Sequence, residues 1–117
     1  MPTTNNKRDK QLLLNTFAET IDDPTALEEK LAQSHHVMEG LTELIKLCGD
    51  DPDRDGLEET PYRVLKAFLE YTEGYREEPK DHLKKTFDVT HQELVLVKDI
   101  EFFSTCEHHF APFFGVA

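Results

Sequence analysis

The sequence contains no tryptophan, only two cysteines and only five glycines, and its basic residues are outnumbered by acidic ones. Thirteen Lys and Arg stand against 24 Asp and Glu, which gives a formal net charge of -11. This charge repels phosphate backbones and anionic lipid surfaces, so we expect neither nucleic acid nor a membrane as a partner. An anionic small molecule would have to be held by a few local cations. Two cysteines also cannot build the disulfide framework of a small secreted domain.

Long apolar runs are missing as well. None approaches the ~18 residues that span a bilayer, and the first residues are not followed by the apolar core of a signal peptide. We therefore expect a soluble, cytoplasmic protein. At 117 residues, the chain is long enough for one domain or for part of one. In a reducing compartment, a cysteine beside a histidine is better explained by metal binding than by a disulfide.

The spacing of apolar residues divides the chain into two parts. Residues 1–33 carry short apolar clusters interrupted by Asp-Asp-Pro at 22–24, and we predict a variable, partly helical arm that cannot sustain a long helix. Residues 34–117 form the predicted domain. Its first apolar residues recur at offsets of three and four, which predicts a helix from about His36 to a stop at Gly49. This stripe consists of Val37, Met38, Leu41, Leu44, Ile45 and Cys48.

An acidic loop and a second helix follow. Residues 49–56 are rich in carboxylates and turn formers, which predicts a loop. Thr60 is the predicted N-cap of the second helix, with Pro61 at its first position and Gly74 as its stop. Residues 79–87 are predicted to make one or two helical turns.

The period then changes from helical to extended. Residues 93–103 begin as a β-branched run and end in alternation, which predicts a long strand. Residues 113–117 have the pattern of the next strand, and the chain ends inside it. Because a lone strand pair is marginal in water, we expect a fragment whose domain is incomplete at the C-terminus.

The strongest chemical signal is Cys106-Glu107-His108-His109. A cysteine and a histidine separated by two residues can reach one tetrahedral metal ion from a tight turn. Consecutive side chains point in different directions, so one of the two histidines is predicted to bind metal and the other to act as a general acid or base. The alternative is a buried cysteine beside two solvated histidines. A catalytic zinc needs three protein ligands, so the spacing leaves one unassigned.

A second pattern, Asp51–Gly56, matches the first half of a calcium-binding EF-hand loop, and such a module is a remote alternative. The twelfth loop position is Tyr62, where calcium requires a glutamate, so we prefer an acidic loop before a helix. Cys48 is expected to pack in the core. The histidines outside the metal motif are expected to be solvated: they are His35, His36, His82 and His91.

Arg63 and Lys66 lie three positions apart near the start of the second predicted helix. Cations there oppose the helix dipole unless an anion binds beside them. The alternative is that both form exposed ion pairs four positions apart, Arg63 with Glu59 and Lys66 with Glu70.

Taken together, these motifs resemble GTP cyclohydrolase I. The resemblance rests on residues 104–110 with the preceding 94–100, on residues 53–64, and on residues 113–117, in the family's order and approximate spacing. It extends from about His36 to the last residue, whereas the first 33 residues resemble no family that we can place.

The resemblance implies an α+β tunnelling fold (T-fold), with N-terminal helices followed by an antiparallel sheet, assembled into a homodecamer. It also implies zinc-dependent hydrolysis and rearrangement of GTP to 7,8-dihydroneopterin triphosphate and formate, the first step of tetrahydrofolate or tetrahydrobiopterin biosynthesis. Cys106 and His109 are the implied zinc ligands, and His108 is the implied catalytic proton donor. Arg63 and Lys66 are implied to face the triphosphate of GTP.

The sequence also departs from the family pattern. The family's third zinc ligand, a cysteine, and another catalytic histidine lie downstream and have no counterpart here. A truncated, non-catalytic product that associates with full-length subunits is therefore the second hypothesis.

Overall fold

A computed structural model describes residues 6–18, 21–90 and 92–117. Helices come first and an antiparallel strand pair follows, which agrees with the expected α+β class. The chain divides into two compact units, Met1–Ala67 and Phe68–Ala117, with the boundary inside the third helix. In chain order the elements are α1 (Asn6–Phe17), α2 (Pro24–Leu47), α3 (Thr60–Tyr71), a 3-10 turn (Glu73–Arg76), α4 (Pro79–His82), β1 (Glu101–Thr105) and β2 (Pro112–Val116).

The start of α2 corrects the expectation for the N-terminal part. Asp23 caps the helix by accepting a hydrogen bond from the Thr25 backbone N–H at 2.9 Å, and Pro24 occupies the first helical position. The Asp-Asp-Pro sequence therefore begins a helix of 24 residues, so the prediction that this region cannot sustain a long helix is wrong. The boundary placed between residues 33 and 34 lies inside α2. A variable arm over residues 1–33 stays a prediction.

The end of α2 is confirmed at Gly49. This glycine has a left-handed backbone (φ +92°), and its N–H donates to the Lys46 carbonyl at 2.9 Å. The next N–H, of Asp50, donates to the Ile45 carbonyl at 3.2 Å. These two bonds form a Schellman motif, in which a left-handed residue ends a helix and satisfies its last carbonyls.

The apolar stripe of α2 is only partly covered. Met38 is buried, but Leu44 is 52% exposed and Cys48, at the C-cap, is exposed. The prediction that Cys48 packs in the core is therefore wrong. Within the first unit, α1 packs against α2, and a helix of 12 residues cannot cover the full length of one of 24.

The core of the first unit lies where α1 meets α2. Leu13 of α1 and Met38 of α2 are buried there. Ser34, one turn before Met38 on α2, is also buried, and its hydroxyl donates to the Lys30 carbonyl at 2.7 Å. Near the end of α1, the hydroxyls of Thr16 and Tyr62 are hydrogen-bonded at 3.0 Å. This bond ties α1 to the first turn of α3.

The second unit contains the hairpin of β1 and β2. The two strands are antiparallel in a register that pairs Glu101 with Val116 and Thr105 with Pro112. Phe102 pairs with Gly115, and its ring lies over that glycine so closely that a Cβ there would stand 2.7 Å from Cζ. The glycine is thus required by the close approach of the ring rather than by backbone conformation.

The strand predicted over residues 93–103 is wrong in its first eight residues. Only Glu101–Thr105 forms a strand, and Leu94 is 93% exposed. Asp99 has a left-handed backbone (φ 60°), which interrupts an extended run. β2 also ends at Val116, so the described chain offers the earlier residues no strand to pair with. The strand predicted to begin near residue 113 is confirmed as β2.

Candidate metal and substrate site

The Cys106-Glu107-His108-His109 motif forms the turn that joins β1 to β2. The N–H of Phe110 donates to the Cys106 carbonyl at 2.9 Å, which closes a single turn of helical type. The N–H of Cys106 donates to the Ala111 carbonyl at 2.8 Å and continues the ladder of the hairpin by one residue. Cys106 thus opens this turn, and His109 is the last residue before it closes.

The two histidine side chains of the motif are exposed, and their rings are tilted relative to each other. The His108 side chain is 77% exposed, and its ring centroid lies 6.4 Å from that of His109 with 54° between the ring planes. The two rings are therefore not stacked, and they can serve different partners. Cys106 is half-buried and is a free thiol. The alternative interpretation predicted a buried cysteine at this position, but Cys106 is only partly buried.

The donors of this turn fit zinc in kind, because thiolate and imidazole are its usual protein ligands. Their number does not complete a site: across residues 6–18, 21–90 and 92–117, no three His, Cys, Asp or Glu side chains are grouped as a metal ion would require. The Thr105 hydroxyl, next to Cys106, is buried and has no hydrogen-bond partner among the described residues. Buried hydroxyls are normally bonded, so this one is available to a polar group bound beside Cys106.

Arg63 and Lys66 lie on the exposed side of α3, in the first unit. The helix begins at Thr60, one residue earlier than predicted. The first helical N–H, of Arg63, donates to the Glu59 carbonyl, so Glu59 rather than Thr60 holds the N-cap position. The Arg63 guanidinium also contacts the Glu59 carboxylate at 3.1 Å, which is the ion pair of the alternative interpretation.

The acidic loop before α3 is held by its own side chains. Arg54 binds Asp50 through Nε to Oδ1 at 2.7 Å and through Nη2 to Oδ2 at 2.8 Å. This guanidinium, together with the Asp51 backbone N–H, lowers the pKa of Asp50 to about 2. Asp51 in turn accepts a hydrogen bond from the Asp53 N–H at 3.0 Å. These carboxylates bind groups of the loop instead of converging, which gives the calcium alternative no support.

The remaining histidines pair with carboxylates on the surface. His36 is exposed and lies 3.5 Å from Glu39, and His82 is exposed and lies 2.9 Å from Glu77. The expectation of solvated histidines is confirmed for these two. His35 is less accessible and contacts the same Glu39 carboxylate at 3.2 Å. The expectation for His91 lies outside the described residues.

The second unit also contains an open groove of about 920 Å³. Aromatic rings from the helical part and the hairpin line it, with Glu70, Glu73 and Glu77 among the polar groups. Among the described residues that line the groove, Cys106, His108 and His109 are not represented. The groove therefore reaches the hairpin as far as Thr105, next to the motif, without including Cys106 or the two histidines.

Sequence reasoning overlooked Phe110. Its backbone is left-handed (φ 54°), which is rare for a bulky residue. Glycine or asparagine would have signalled such a conformation, but an aromatic residue gives no such signal. Only the position directly after the second histidine could have drawn attention to it.

Comparison with known proteins places the chain in a family. The model of the GTP cyclohydrolase I family matches residues 37–117. GTP cyclohydrolase 1 of Streptomyces griseus is 53% identical over 92 residues, which are 79% of this chain and 43% of that protein. GTP cyclohydrolase 1 of Clostridioides difficile is 54% identical over 82 residues, which are 69% of this chain and 43% of that protein. The chain thus spans about two fifths of the length of these relatives.

The structure thus defines an α+β chain whose turn between two antiparallel strands carries a Cys-x-x-His motif. Its family match is specific, and the chain belongs to the GTP cyclohydrolase I family. Within the described ranges, no helix is both long enough and apolar enough to cross a membrane.

Proposed function

We propose that this chain serves the GTP cyclohydrolase I reaction, the zinc-dependent conversion of GTP to 7,8-dihydroneopterin triphosphate and formate. The reaction would begin tetrahydrofolate or tetrahydrobiopterin biosynthesis. The observation that carries the proposal is the closed turn from Cys106 to Phe110, which holds a thiol and two imidazoles at the end of a strand. The relatives that match most of the chain are named for this activity.

Cys106 and His109 are the proposed zinc ligands. In a single helical turn, side chains three positions apart are neighbours on the same surface, so Cys106 and His109 can face one ion. Zinc bound by them would lower the pKa of a coordinated water and provide a nucleophile for C8 of the guanine ring near neutral pH. The third protein ligand would come from outside the described residues, since these contain no group of three.

His108 is the proposed proton donor. Its ring is exposed and is tilted by 54° from that of His109, so it can face the substrate while its neighbour faces the metal. Imidazole exchanges protons near neutral pH, which suits protonation of the guanine imidazole nitrogen as the ring opens. Formate would then leave in a second hydrolytic step.

Arg63 and Lys66 are the proposed contacts of the triphosphate. They are exposed neighbours on α3, in a chain whose net charge of -11 otherwise repels anions. A triphosphate would compete with the Glu59 carboxylate for the Arg63 guanidinium, and it carries more charge than a single carboxylate.

We further propose a cytoplasmic homo-oligomer with the T-fold, a decamer as the family resemblance implies, in which residues 34–117 form the enzyme domain. The hairpin supports an assembly, because Phe103 and Phe114 lie side by side on one face and are 80% and 81% exposed. Aromatic faces of this kind are normally covered by a further layer. The negative charge argues against nucleic acid and membrane partners.

A second candidate function is a non-catalytic chain that associates with full-length subunits. Catalytic zinc needs three protein ligands, and the described residues offer only the proposed pair, Cys106 and His109. This shortage of ligands favours a chain without catalytic activity of its own. On this alternative, the chain alone binds zinc weakly, because affinity follows ligand number and a preformed geometry.

The two candidates are separated by measuring zinc content and formate release from GTP for the 117-residue chain, alone and mixed with a full-length relative. Formate release that is lost in both Cys106→Ala and His108→Ala, with zinc lost only in Cys106→Ala, supports catalysis. Association with the relative, without formate release by the chain itself, supports the second candidate. Stoichiometric zinc in Cys106→Ala contradicts both, and zinc lost with His108 but kept without His109 reverses the two histidine roles.

A further inference from the structure

The turn between the strands depends on one backbone conformation. Among the described residues other than glycine, only Phe110 and Asp99 have a positive φ, and Phe110 follows the two histidines directly. The helical turn that Cys106 opens must reverse direction to let Ala111 pair again with Cys106. A left-handed residue makes this reversal, as it does at the C-terminus of many helices.

An aromatic residue is an unfavourable choice for that conformation. The left-handed region brings Cβ close to a carbonyl oxygen, so glycine or asparagine usually fills such positions. Strained backbone of this kind persists only where surrounding contacts determine it, and it is concentrated at functional sites. A contact must therefore hold Phe110 in place.

Phe68, on the part of α3 that belongs to the second unit, provides that contact. The rings of Phe68 and Phe110 meet edge to face, with their centroids 5.5 Å apart and 77° between their planes. Phe68 also packs edge to face on Tyr71, at 5.8 Å. The Phe110 ring is 63% exposed, so Phe68 braces one of its sides while the other faces solvent.

We infer that Phe110 is a positioning residue for the metal ligands. Its left-handed backbone, braced by Phe68, closes the turn directly after His109 and so keeps Cys106 and His109 at the two ends of one helical turn. The inference rests on the proposed zinc role of these two residues. It assigns Phe110 no contact with the substrate.

Four variants test this role in a Cys48→Ser background, which leaves Cys106 as the only thiol. Phe110→Tyr keeps the ring and should bind metal like the reference chain. Phe110→Val removes the ring and places a β-branched residue where φ is positive, so it should bind most weakly. Phe110→Gly also removes the ring but accepts the left-handed backbone, so it should fall between them. Phe68→Leu should weaken binding without touching the turn itself.

The probe is Co²⁺, because its thiolate charge-transfer band reports a bond to Cys106, and Cys106→Ser is the control that should abolish the band. We expect the Co²⁺ affinity of Phe110→Val to fall about tenfold, the order set by the strain of one left-handed residue. Rescue by Phe110→Tyr, with unchanged helical circular dichroism in all variants, would separate positioning from loss of fold. Equal bands and affinities in Phe110→Val and Phe110→Tyr overturn the inference.

Failure of the proposed function has a different signature. A reference chain that gives no thiolate band, or a band that survives Cys106→Ser, contradicts zinc binding at this turn and removes the positioning role with it. Amide hydrogen exchange supplies a readout that needs no metal. We expect the Cys106 N–H, bonded to the Ala111 carbonyl, to exchange faster in Phe110→Val than in Phe110→Tyr, and equal rates overturn the inference even where Co²⁺ binds.

Discussion

Arg54 and Asp50 form a two-pronged ion pair across the loop that joins α2 to α3. Both donor–acceptor distances are short, 2.7 and 2.8 Å, and the pair joins residues four positions apart just after the helix stop at Gly49. The guanidinium fork matches the carboxylate in one plane, which gives geometric specificity beyond simple attraction. The pair thus braces the loop between α2 and the part of α3 that lies in the first unit.

This pair predicts a pH dependence of stability. The folded-state pKa of Asp50 is about 2, below the ordinary 3.8, so its contribution is complete above 3.8 and is lost as pH falls towards 2. Asp50→Asn should therefore lower the urea midpoint at neutral pH by a small amount, because both groups are exposed and screened by salt. The difference from the parent chain should vanish near pH 2.

Asp55→Asn is the matched control, since it removes the same charge from the same loop outside this pair. Its urea midpoint should move less at neutral pH than that of Asp50→Asn. Equal shifts in the two variants would mean that overall charge, and not the ion pair with Arg54, sets the stability of the loop.

A local signal in the sequence predicted the end of α2 well, whereas α3 ends at Tyr71, before its predicted stop at Gly74. Gly49 ends α2 with a left-handed backbone because no other residue adopts φ +92° without strain. The long strand was mispredicted for a different reason. A β-branched run indicates that residues can form a strand, but a strand also needs a partner, and β2 provides one only as far as Ile100. Pairing is set by distant residues and cannot be determined from the run itself.

Replacing two glycines with alanine should change the free energy of unfolding in opposite directions. Gly115→Ala should destabilise the hairpin by about 1–3 kcal/mol, because the new Cβ would stand 2.7 Å from the Phe102 ring. Gly40→Ala, inside α2 with open space around it, should stabilise by about 0.5–1 kcal/mol. Urea unfolding of both variants measures the two effects. Adding Phe102→Leu should recover part of the loss at Gly115, and no recovery would place the strain elsewhere.

The hydrogen bond between Thr16 and Tyr62 predicts a modest loss on Tyr62→Phe. Removing the phenol hydroxyl breaks the 3.0 Å contact between α1 and α3 and should cost about 1 kcal/mol. The Thr16 hydroxyl keeps a second bond, to the Leu12 carbonyl at 2.9 Å, so it is not left unsatisfied. A double-mutant cycle with Thr16→Val measures the coupling, and additive effects would show that the bond contributes nothing.

The sequence shows the residue types of the candidate site, but not the contact that supports the turn on which they lie. The Cys-x-x-His spacing identified Cys106 and both histidines from sequence, because metal ligands in a tight turn are close in the chain. The contact between Phe68 and Phe110 joins residues 42 positions apart, counted from their numbers, so no local pattern reveals it. The proposed ligands can thus be picked out from the sequence, whereas the contact that supports their turn cannot.

The last prediction concerns Arg63 and its ion-pair partner. Arg63→Glu should weaken GTP binding by about 10- to 100-fold, the range expected for losing a charge-assisted hydrogen bond to phosphate. Glu59→Gln should act in the opposite direction, because it removes the carboxylate that holds the guanidinium at 3.1 Å and competes with the triphosphate. Calorimetric titration with GTP and with guanosine measures both effects. Guanosine carries no phosphate, so its affinity should be unchanged in either variant. Equal losses for GTP and guanosine in Arg63→Glu would assign this arginine to the fold, as the exposed partner of Glu59.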